Sequence, residues 1–312
     1  MESRFETPVL LITFNRPTHT RRVWNEIKKQ HPKYVYVFQD GARFGNEIDL
    51  KKCAEVRSIF AETLDWNCEL KTFYAHINMG CGRGPASAIT WFFENVEQGI
   101  IFEDDCLPSD TLCRFYTELL DVYKYDERVS LITANNLNLR WKSRNQSYVF
   151  STVGAATMGS WAGWAHAWKM FEYDIVAWED EKNKNIIAKN IRTNKYYNYY
   201  ANIFNQNCKT GQTDAWDYQW FFARILNNTV SVVSTVNQLS NIGFGIESTH
   251  TPNPEDRIAN LPVYNTEFPL KHTKLKIDKL FDWVIFNRFY YPKKKSIFMK
   301  VTLRILETIY CR

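Results

Sequence analysis

The stretch QGIIFEDDCLPSD, residues 98–110, places three acidic side chains directly after a short apolar run. Glu103, Asp104 and Asp105 are adjacent, and the run before them, residues 99–102, has the composition of a buried strand. Adjacent carboxylates repel one another, and the end of a buried strand is a costly place for uncompensated charge. The stretch therefore predicts a positively charged partner at this point of the fold.

The chain around this stretch alternates short apolar runs with amphipathic segments. The pattern predicts strands at 8–14, 33–41, 68–75 and 99–102, and helices at 18–30, 47–64 and 84–96. Farther along it predicts a glycine-interrupted loop that begins at 160 and becomes helical by 172, and a helix over 183–207. Strands separated by helices of this length predict βαβ units, hence an α/β protein with a mostly parallel sheet flanked by helices.

Polar sequences follow three of the predicted strands: NRP at 15–17, QDGAR at 39–43 and EDD at 103–105. In open parallel sheets, ligands bind beyond the carboxyl ends of the strands. We therefore expect the three polar sequences to converge on one crevice.

Two interpretations account for the acidic run. Its acids could face the positive end of the helix dipole of the following segment SDTLCRFYTELL, with Ser109 and Asp110 as caps. That interpretation leaves three acids flush against a strand end unexplained, whereas a bound Mg²⁺ or Mn²⁺ explains them. Such ions bind through one or two carboxylates together with substrate phosphates, so we favour a metal site.

The glycine-rich run NMGCGRG, residues 78–84, lacks the spacing of a dinucleotide fingerprint and follows the third predicted strand rather than the first. We expect a tight, sterically open turn near a ligand, with Arg83 available to bind phosphate.

With these motifs in order, the chain resembles GT-A-fold glycosyltransferases, which have a Rossmann-like nucleotide-diphospho-sugar transferase fold. The nearest resemblance is to the inverting N-acetylglucosaminyltransferase I type and its bacterial relatives, over about residues 7–252. PVLLITFNRP resembles the family's opening strand, whose following loop contacts the nucleotide, here Thr13, Asn15 and Arg16. FQDGAR resembles the second-strand element whose aspartate recognises uracil, which gives that role to Asp40.

FEDDCLPSD resembles the D-x-D-type metal motif of the same family. The resemblance implies that Asp105 is the direct metal ligand and that Asp104 lies close to the ribose or the metal. Many GT-A enzymes also bring a late histidine to the metal or the diphosphate. His250, in a glycine-containing loop, is our candidate, although it could equally be an ordinary loop residue.

On the acceptor side, AWDYQWFFAR resembles the helix start that carries the family's catalytic base. The family's adjacent acid pair is replaced here by Asp217 and Tyr218. We predict Asp217 as the base, with Asp214 as an N-cap or substitute; either could instead be a plain acid of the helix N-terminus.

GSWAGWAHAWKMFE resembles the wall of the family's acceptor site. Its sugar-facing aromatic residues would be Trp161, Trp164 and Trp216. Core packing is the alternative, and it is expected for at least two of Trp161, Trp164, Trp216 and Trp220.

Charge is distributed unevenly along the 312 residues. Residues 271–312 hold eleven Lys/Arg and three Asp/Glu, whereas the preceding 270 residues hold 28 and 31. A near-neutral body with a basic tail argues against nucleic acid as a partner and favours an anionic membrane surface. SIFMKVTLRILETIY within the tail predicts an amphipathic helix, which would lie on a membrane or pack on the body.

The sequence shows no signal peptide and no apolar run of about 18 residues, so we expect no membrane span. Its seven cysteines are scattered and form no C-x-x-C pair, which indicates reduced thiols. These features favour the cytoplasm, with peripheral attachment to the inner face of the cytoplasmic membrane.

We therefore expect a GT-A domain at 1–265, with a nucleotide-binding half at 1–135 and an acceptor-binding half at 136–265, and a basic helical segment at 266–312. The expected activity is metal-dependent, inverting sugar transfer from a nucleotide sugar, most simply a UDP-sugar, to a glycan or lipid-linked acceptor of a bacterial surface polysaccharide. The alternatives are a sugar nucleotidyltransferase, whose glycine-rich first loop is missing from TFNRPTHTRR, and a non-catalytic glycan-binding protein.

Overall fold

A sheet of eight strands runs through the middle of the protein. The computed structural model describes residues 5–62, 64–142, 145–154, 159–210, 214–245, 253–291 and 295–311. The strands of this sheet are β1 (Val9–Thr13), β2 (Tyr34–Gln39), β3 (Glu69–Tyr74), β4 (Gln98–Glu103), β6 (Val129–Thr133), β7 (Tyr148–Ser151), β8 (Ser160–Trp164) and β9 (Val230–Ser234). Two further short strands, β5 (Cys106–Pro108) and β10 (Leu239–Asn241), pair with each other.

The strand order is β3-β2-β1-β4-β8-β6-β9-β7. Strands β1 to β4 pair in parallel, as do β6 and β9, whereas β8 runs antiparallel between β4 and β6, and β7 antiparallel beside β9. The predicted α/β class with a mostly parallel sheet is confirmed.

Helices flank the sheet and connect its strands. They are α1 (Pro17–Lys28), α2 (Glu47–Phe60), α3 (Gly80–Asn95), α4 (Leu112–Tyr123), α5 (Ala165–Trp168), α6 (Glu181–Ile191), α7 (Asn194–Thr210), α8 (Asp217–Leu226), α9 (Lys279–Ile285) and α10 (Ile297–Tyr310), with a π-helical turn at Phe286–Tyr290. Each long helix turns an apolar stripe inward: α4, for example, buries Leu112, Phe115, Tyr116, Leu119 and Leu120. Every such side chain contributes about 1.5–3 kcal/mol of transfer free energy relative to exposure.

The four strands predicted in the first half are all present, but three predictions further along were wrong. The segment expected to begin as a loop at 160 is strand β8, because it pairs with β4 and β6 and is buried throughout. The helix expected over 183–207 is broken into α6 and α7, since Arg192 adopts a left-handed conformation with φ 66°. Helix α3 begins at Gly80, four residues before the predicted start at 84.

The basic segment from 266 onward is part of the packed body. Phe281, Val284, Ile285 and Phe286 are completely buried, and Asp278 donates its backbone N–H to the carbonyl of Phe150. Helix α10 also packs on this body through its inner face, where the Tyr310 ring stacks on Trp141 with centroids 5.0 Å apart and Leu303 is buried.

A buried acid fastens α9 to the end of β7. The carboxylate of Asp282 is 5% exposed and accepts hydrogen bonds from the Ser151 hydroxyl and from the backbone N–H groups of Thr152 and Gly154. Burial raises the pKa of Asp282 from 3.8 to about 6, while the hydrogen bonds oppose the rise.

Asp282 should make the fold less stable as pH rises from about 4 to about 6. Its pKa is higher in the folded than in the unfolded chain, so the folded chain holds the proton more tightly, and that stabilisation is lost once both states are ionised. We expect the free energy of unfolding of the wild type to fall relative to Asp282→Asn by up to about 3 kcal/mol across this range. Urea unfolding of both proteins at several pH values measures the difference; parallel curves would contradict it.

Candidate functional site

The polar sequences after β1, β2 and β4 meet at one edge of the sheet, as predicted. Strand β1 lies between β2 and β4 and is parallel to both, so the carboxyl ends of the three strands are adjacent. The side chain of Arg16, just beyond β1, reaches the acidic run just beyond β4.

Arg16 is the positive partner of the acidic run in this structure. Its guanidinium donates to Asp105 Oδ2 at 3.0 Å and contacts Asp104 Oδ1, and the Thr20 hydroxyl donates to Asp104 Oδ2 at 3.4 Å. Asp104 and Asp105 are 2% and 8% exposed. Burial opposes the charge of Arg16, but the two aspartates outweigh it and raise the pKa of the guanidinium. The resemblance had assigned Arg16 to the nucleotide.

Glu103 joins this cluster and extends it to helix α8. Burial and the neighbouring Asp105 raise the pKa of Glu103 to about 8; Arg16 opposes the rise, and Asp217 adds to it. The half-buried carboxylate of Asp217, at the start of α8, therefore acts on the same electrostatic cluster from more than a hundred residues away. The charge of Asp217 is therefore felt at the strand end, and its role as the base stays a prediction.

The cluster contains a set of donors that fits a hard divalent cation. Ligand atoms of Glu103, Asp105 and Cys106 lie within 4.8 Å of one another. Burial, with Asp105 and Glu103 nearby, holds the pKa of the Cys106 thiol well above its usual value, and the thiol donates to Asp105 Oδ1 at 3.1 Å. A protonated thiol is a poor ligand for Mg²⁺ or Mn²⁺, whereas two carboxylates plus substrate phosphates suit either ion.

The loop after β10 packs against Asp105. Ile242 donates its backbone N–H to the Asp105 carbonyl at 2.8 Å, and the same residue's carbonyl lies 3.2 Å from a ring nitrogen of His19. A Cβ on Gly243 would stand 2.0 Å from Asp105 Oδ2, so only glycine allows the backbone this close. His250, predicted to reach the metal from farther along this segment, lies outside the described residues.

Two of the residues predicted to contact the nucleotide are engaged with neighbouring strands and helices. Thr13 is buried and donates its hydroxyl to the carbonyl of Phe38 at 2.9 Å. Asn15 donates to Asp49 Oδ1 at 2.7 Å, and the same carboxylate pairs with Arg43. Both lie at the carboxyl edge of the sheet, where their predicted role stays a prediction.

Two carboxylates hold the start of α3. Asp40 accepts the backbone N–H groups of Met79 and Gly80, at 2.8 and 3.1 Å, and Asp214 accepts those of Cys81 and Gly82, at 3.0 and 2.7 Å. Helix starts leave four N–H groups without a helical partner, and here the two acids satisfy four successive ones. This explains why α3 begins at Gly80.

The Asp40 carboxylate is fully engaged within the chain. Besides the two helix amides, it accepts the backbone N–H of Gly41 at 2.9 Å and the Nδ2–H of Asn78 at 3.0 Å. Two carboxylate oxygens offer about four acceptor positions, and all are filled. Recognition of uracil by Asp40 stays a prediction that would require exchange of one of these bonds.

Gly82 explains the glycine-rich run. A Cβ at this position would lie 2.6 Å from Asp214 Oδ1 and 2.1 Å from the Tyr173 hydroxyl, so the run is glycine-rich to admit the capping acid. Arg83 points outward, with its guanidinium 2.9 Å from Asp174 and 4.2 Å from the centre of the Tyr173 ring. Phosphate binding by Arg83 stays a prediction.

The three tryptophans predicted to form the acceptor wall are buried in this structure. Trp161 and Trp164 are each 1% exposed and Trp216 is 5% exposed. Trp161 packs against Trp216 and Trp220, with ring centroids 6.1 and 6.0 Å away. The rings therefore pack as core, the alternative that the sequence also allowed, and contact with a sugar stays a prediction that would require this packing to open.

Three tyrosines that the sequence did not single out are sensitive to the charge of the predicted base. Burial raises the pKa of Tyr199, Tyr218 and Tyr290, and the Asp217 carboxylate raises each of them further. Tyr218 was visible as the neighbour of Asp217. Tyr290 lies in the segment assigned to the tail, and no spacing in the sequence connects it with α8.

Asp214→Asn should destabilise the protein by about 1–2 kcal/mol, because an amide keeps one acceptor oxygen and turns an NH₂ toward the second helix N–H. Asp174→Asn is the matched control: its carboxylate is 66% exposed and pairs only with exposed Arg83 among the described residues, so a change below about 0.5 kcal/mol is expected. Urea unfolding at neutral pH measures both; equal effects would contradict the capping role.

No protein-family model and no curated protein matches the chain. Among solved structures, apo UDP-glucose pyrophosphorylase is similar with a TM-score of 0.38 and 10% identity, over 76% of this chain and 93% of that one. Mouse xyloside xylosyltransferase 1 is similar with a TM-score of 0.35 and 10% identity, over 70% and 81% of the two chains. Mannose-1-phosphate geranyltransferase from Thermus thermophilus gives 0.31 and 10%, over 77% of each. Likenesses of this size assign no family, so the chemistry must follow from the residues.

Proposed function

We propose that this protein is an inverting, metal-dependent glycosyltransferase that takes a sugar from a nucleotide sugar, most simply a UDP-sugar. The observation that supports the proposal best is the grouping of Glu103, Asp105, Arg16 and Asp217 at the carboxyl edge of the sheet. This grouping combines residues that can neutralise the charge of a leaving nucleoside diphosphate with a separate carboxylate that can take the proton of an attacking hydroxyl.

The donor side of the reaction requires neutralisation of the diphosphate. Mg²⁺ or Mn²⁺ held by Asp105 and Glu103 supplies that neutralisation when bound. Arg16 already lies at Asp105 and retains guanidinium hydrogens beyond those used in its two contacts, so it can also donate to phosphate oxygens. Asp104, buried and bonded to Arg16 and Thr20, orients the guanidinium.

The acceptor side requires a base. Asp217 is a half-buried carboxylate on the first residue of α8, on the same cluster as Glu103. It can take the proton of an acceptor hydroxyl as that oxygen attacks the anomeric carbon, and direct displacement from the opposite face inverts the carbon. The hydroxyls of Tyr199, Tyr218 and Tyr290 are polar groups suited to orienting a saccharide there.

A screen of nucleotide sugars tests this proposal against nucleotidyl transfer. With Mn²⁺ or Mg²⁺, a glycosyltransferase slowly hydrolyses its donor to free sugar and nucleoside diphosphate. A sugar nucleotidyltransferase instead forms nucleotide sugar and diphosphate from a sugar phosphate and a nucleoside triphosphate. Release of diphosphate from triphosphate, without hydrolysis of any nucleotide sugar, would replace the proposal with its alternative. Loss of donor binding in Asp105→Ala tests the metal ligand in the same screen.

Asp217→Asn should lower the transfer rate by roughly two to four powers of ten, because the amide keeps the shape but cannot accept a proton. Nucleotide affinity in Mn²⁺ should change little, since a base acting in the transition state contributes little to donor binding. Asp214→Asn is the matched control, with a capping defect but near-normal turnover once folded. Collapse of turnover in the Asp214 variant alone would move the base three residues upstream.

The acceptor we propose is lipid-linked, in a bacterial surface polysaccharide, and the outer face of α10 supports attachment to an anionic leaflet. Ile297, Phe298, Val301, Ile305 and Ile309 are 81%, 82%, 49%, 54% and 52% exposed. Exposed Lys300 and Arg304 lie three and seven residues after Ile297, which places them along one edge of this apolar face. No helix among the described residues is both long and apolar enough to cross a bilayer.

Replacing Ile305 and Ile309 by Glu should weaken binding to vesicles rich in phosphatidylglycerol by roughly tenfold or more, because two half-exposed apolar side chains no longer insert and two acids repel the leaflet. The matched control carries Glu at Ile48 and Leu50 of α2, which are 68% and 53% exposed. Co-sedimentation with vesicles measures both variants. Equal binding by the two would remove α10 from the membrane contact.

A further inference from the structure

A cavity of about 180 Å³ lies between α10 and the rest of the protein, and no residue of the acidic cluster lines it. Its wall combines the segment after β6, the segment around 257–261, the π-helical turn and the inner edge of α10. The polar and aromatic lining residues are Asn138, Arg257, Arg288, Phe289, Glu307 and Cys311.

The cavity carries net positive charge. Arg288 donates to Glu307 at 3.1 Å, which balances one of its two arginines. Arg257 donates to the Phe289 carbonyl at 3.2 Å and lies 4.8 Å from the centre of that ring. Burial and the neighbouring Arg288 lower the pKa of Arg257, although Asp256 opposes this. A second anion in the cavity would relieve the repulsion between the two guanidinium groups.

Asn138 adds a buried donor. The side chain is 3% exposed, and its Oδ1 accepts from Arg288 at 2.7 Å. An arginine can only donate, so the oxygen of the amide must face it and the Nδ2 must face elsewhere. That Nδ2 has no hydrogen-bond partner among the residues that the structure describes. A buried donor without an acceptor costs about 1–3 kcal/mol, which a ligand oxygen would recover.

We propose that this cavity binds a phosphate group. Two arginines and the Asn138 amide line this cavity, and phosphate offers enough oxygens to accept from all of them, whereas a carboxylate is satisfied by one guanidinium fork. The cavity volume is that of about six water molecules in the liquid, at about 30 Å³ each. It therefore has room for a phosphate group and an ester substituent. The phosphate could come from a lipid headgroup, given the apolar outer face of α10, or from a soluble phosphate ester.

Calorimetric titration of the full chain with inorganic phosphate, in the presence of EDTA, tests the proposal without requiring turnover. We expect Arg257→Gln to weaken phosphate binding about tenfold or more. Arg128→Gln, which removes a 68% exposed arginine that does not line the cavity, should leave it unchanged. Asn138→Asp, nearly isosteric, should also weaken binding because it adds a carboxylate to the wall. Thermal unfolding confirms that each variant is folded.

Vesicles distinguish the source of the phosphate. If Arg257→Gln selectively loses binding to phosphatidic acid vesicles, compared with phosphatidylserine vesicles of equal charge, the ligand is a lipid phosphate. If the loss is confined to inorganic phosphate, the ligand is soluble. The proposal is overturned if the wild type binds neither probe, or if Arg128→Gln loses binding as much as Arg257→Gln does.

Discussion

The ion pairs between Arg16 and the two aspartates after β4 are the constraint on which the candidate site depends. Asp104 and Asp105 are almost completely buried, and without a cation their charges would repel each other at the edge of the sheet. Arg16 meets them because β1 and β4 are adjacent and parallel. The sheet therefore supplies the counter-charge of its own acidic edge before any ligand binds.

This arrangement also shows how far the sequence could be interpreted. Apolar runs bounded by turns predicted β1 to β4, and the rule that ligands gather at the carboxyl ends of parallel strands placed NRP beside EDD. Arg16 was thus within reach of the acids on topology alone. What the sequence did not reveal was the competition between a bound metal and a guanidinium for the same carboxylate, because both satisfy the same electrostatic requirement.

Contacts between distant segments account for the remaining differences. The residues of strand β8 were predicted to form a loop because Gly163 interrupts their apolar run. Pairing with β4 and β6 decides their conformation instead. The tryptophans Trp161 and Trp216 are equally suited to a sugar or to a core, and only the packing of α8 on the sheet selects the core. Tyr290 feels the charge of Asp217 because the basic segment folds back into the body.

The cap that Asp214 provides for α3 has a consequence for where Asp217 lies. The two residues are three positions apart, and Asp214 is tied by two hydrogen bonds to the backbone of Cys81 and Gly82. These bonds therefore fix the position of the beginning of α8 relative to the start of α3. A change in chain length before 214 leaves the spacing between Asp214 and Asp217 unchanged. A single residue inserted between them would shift the Asp217 carboxylate by a full backbone step, about 3.8 Å between successive Cα atoms.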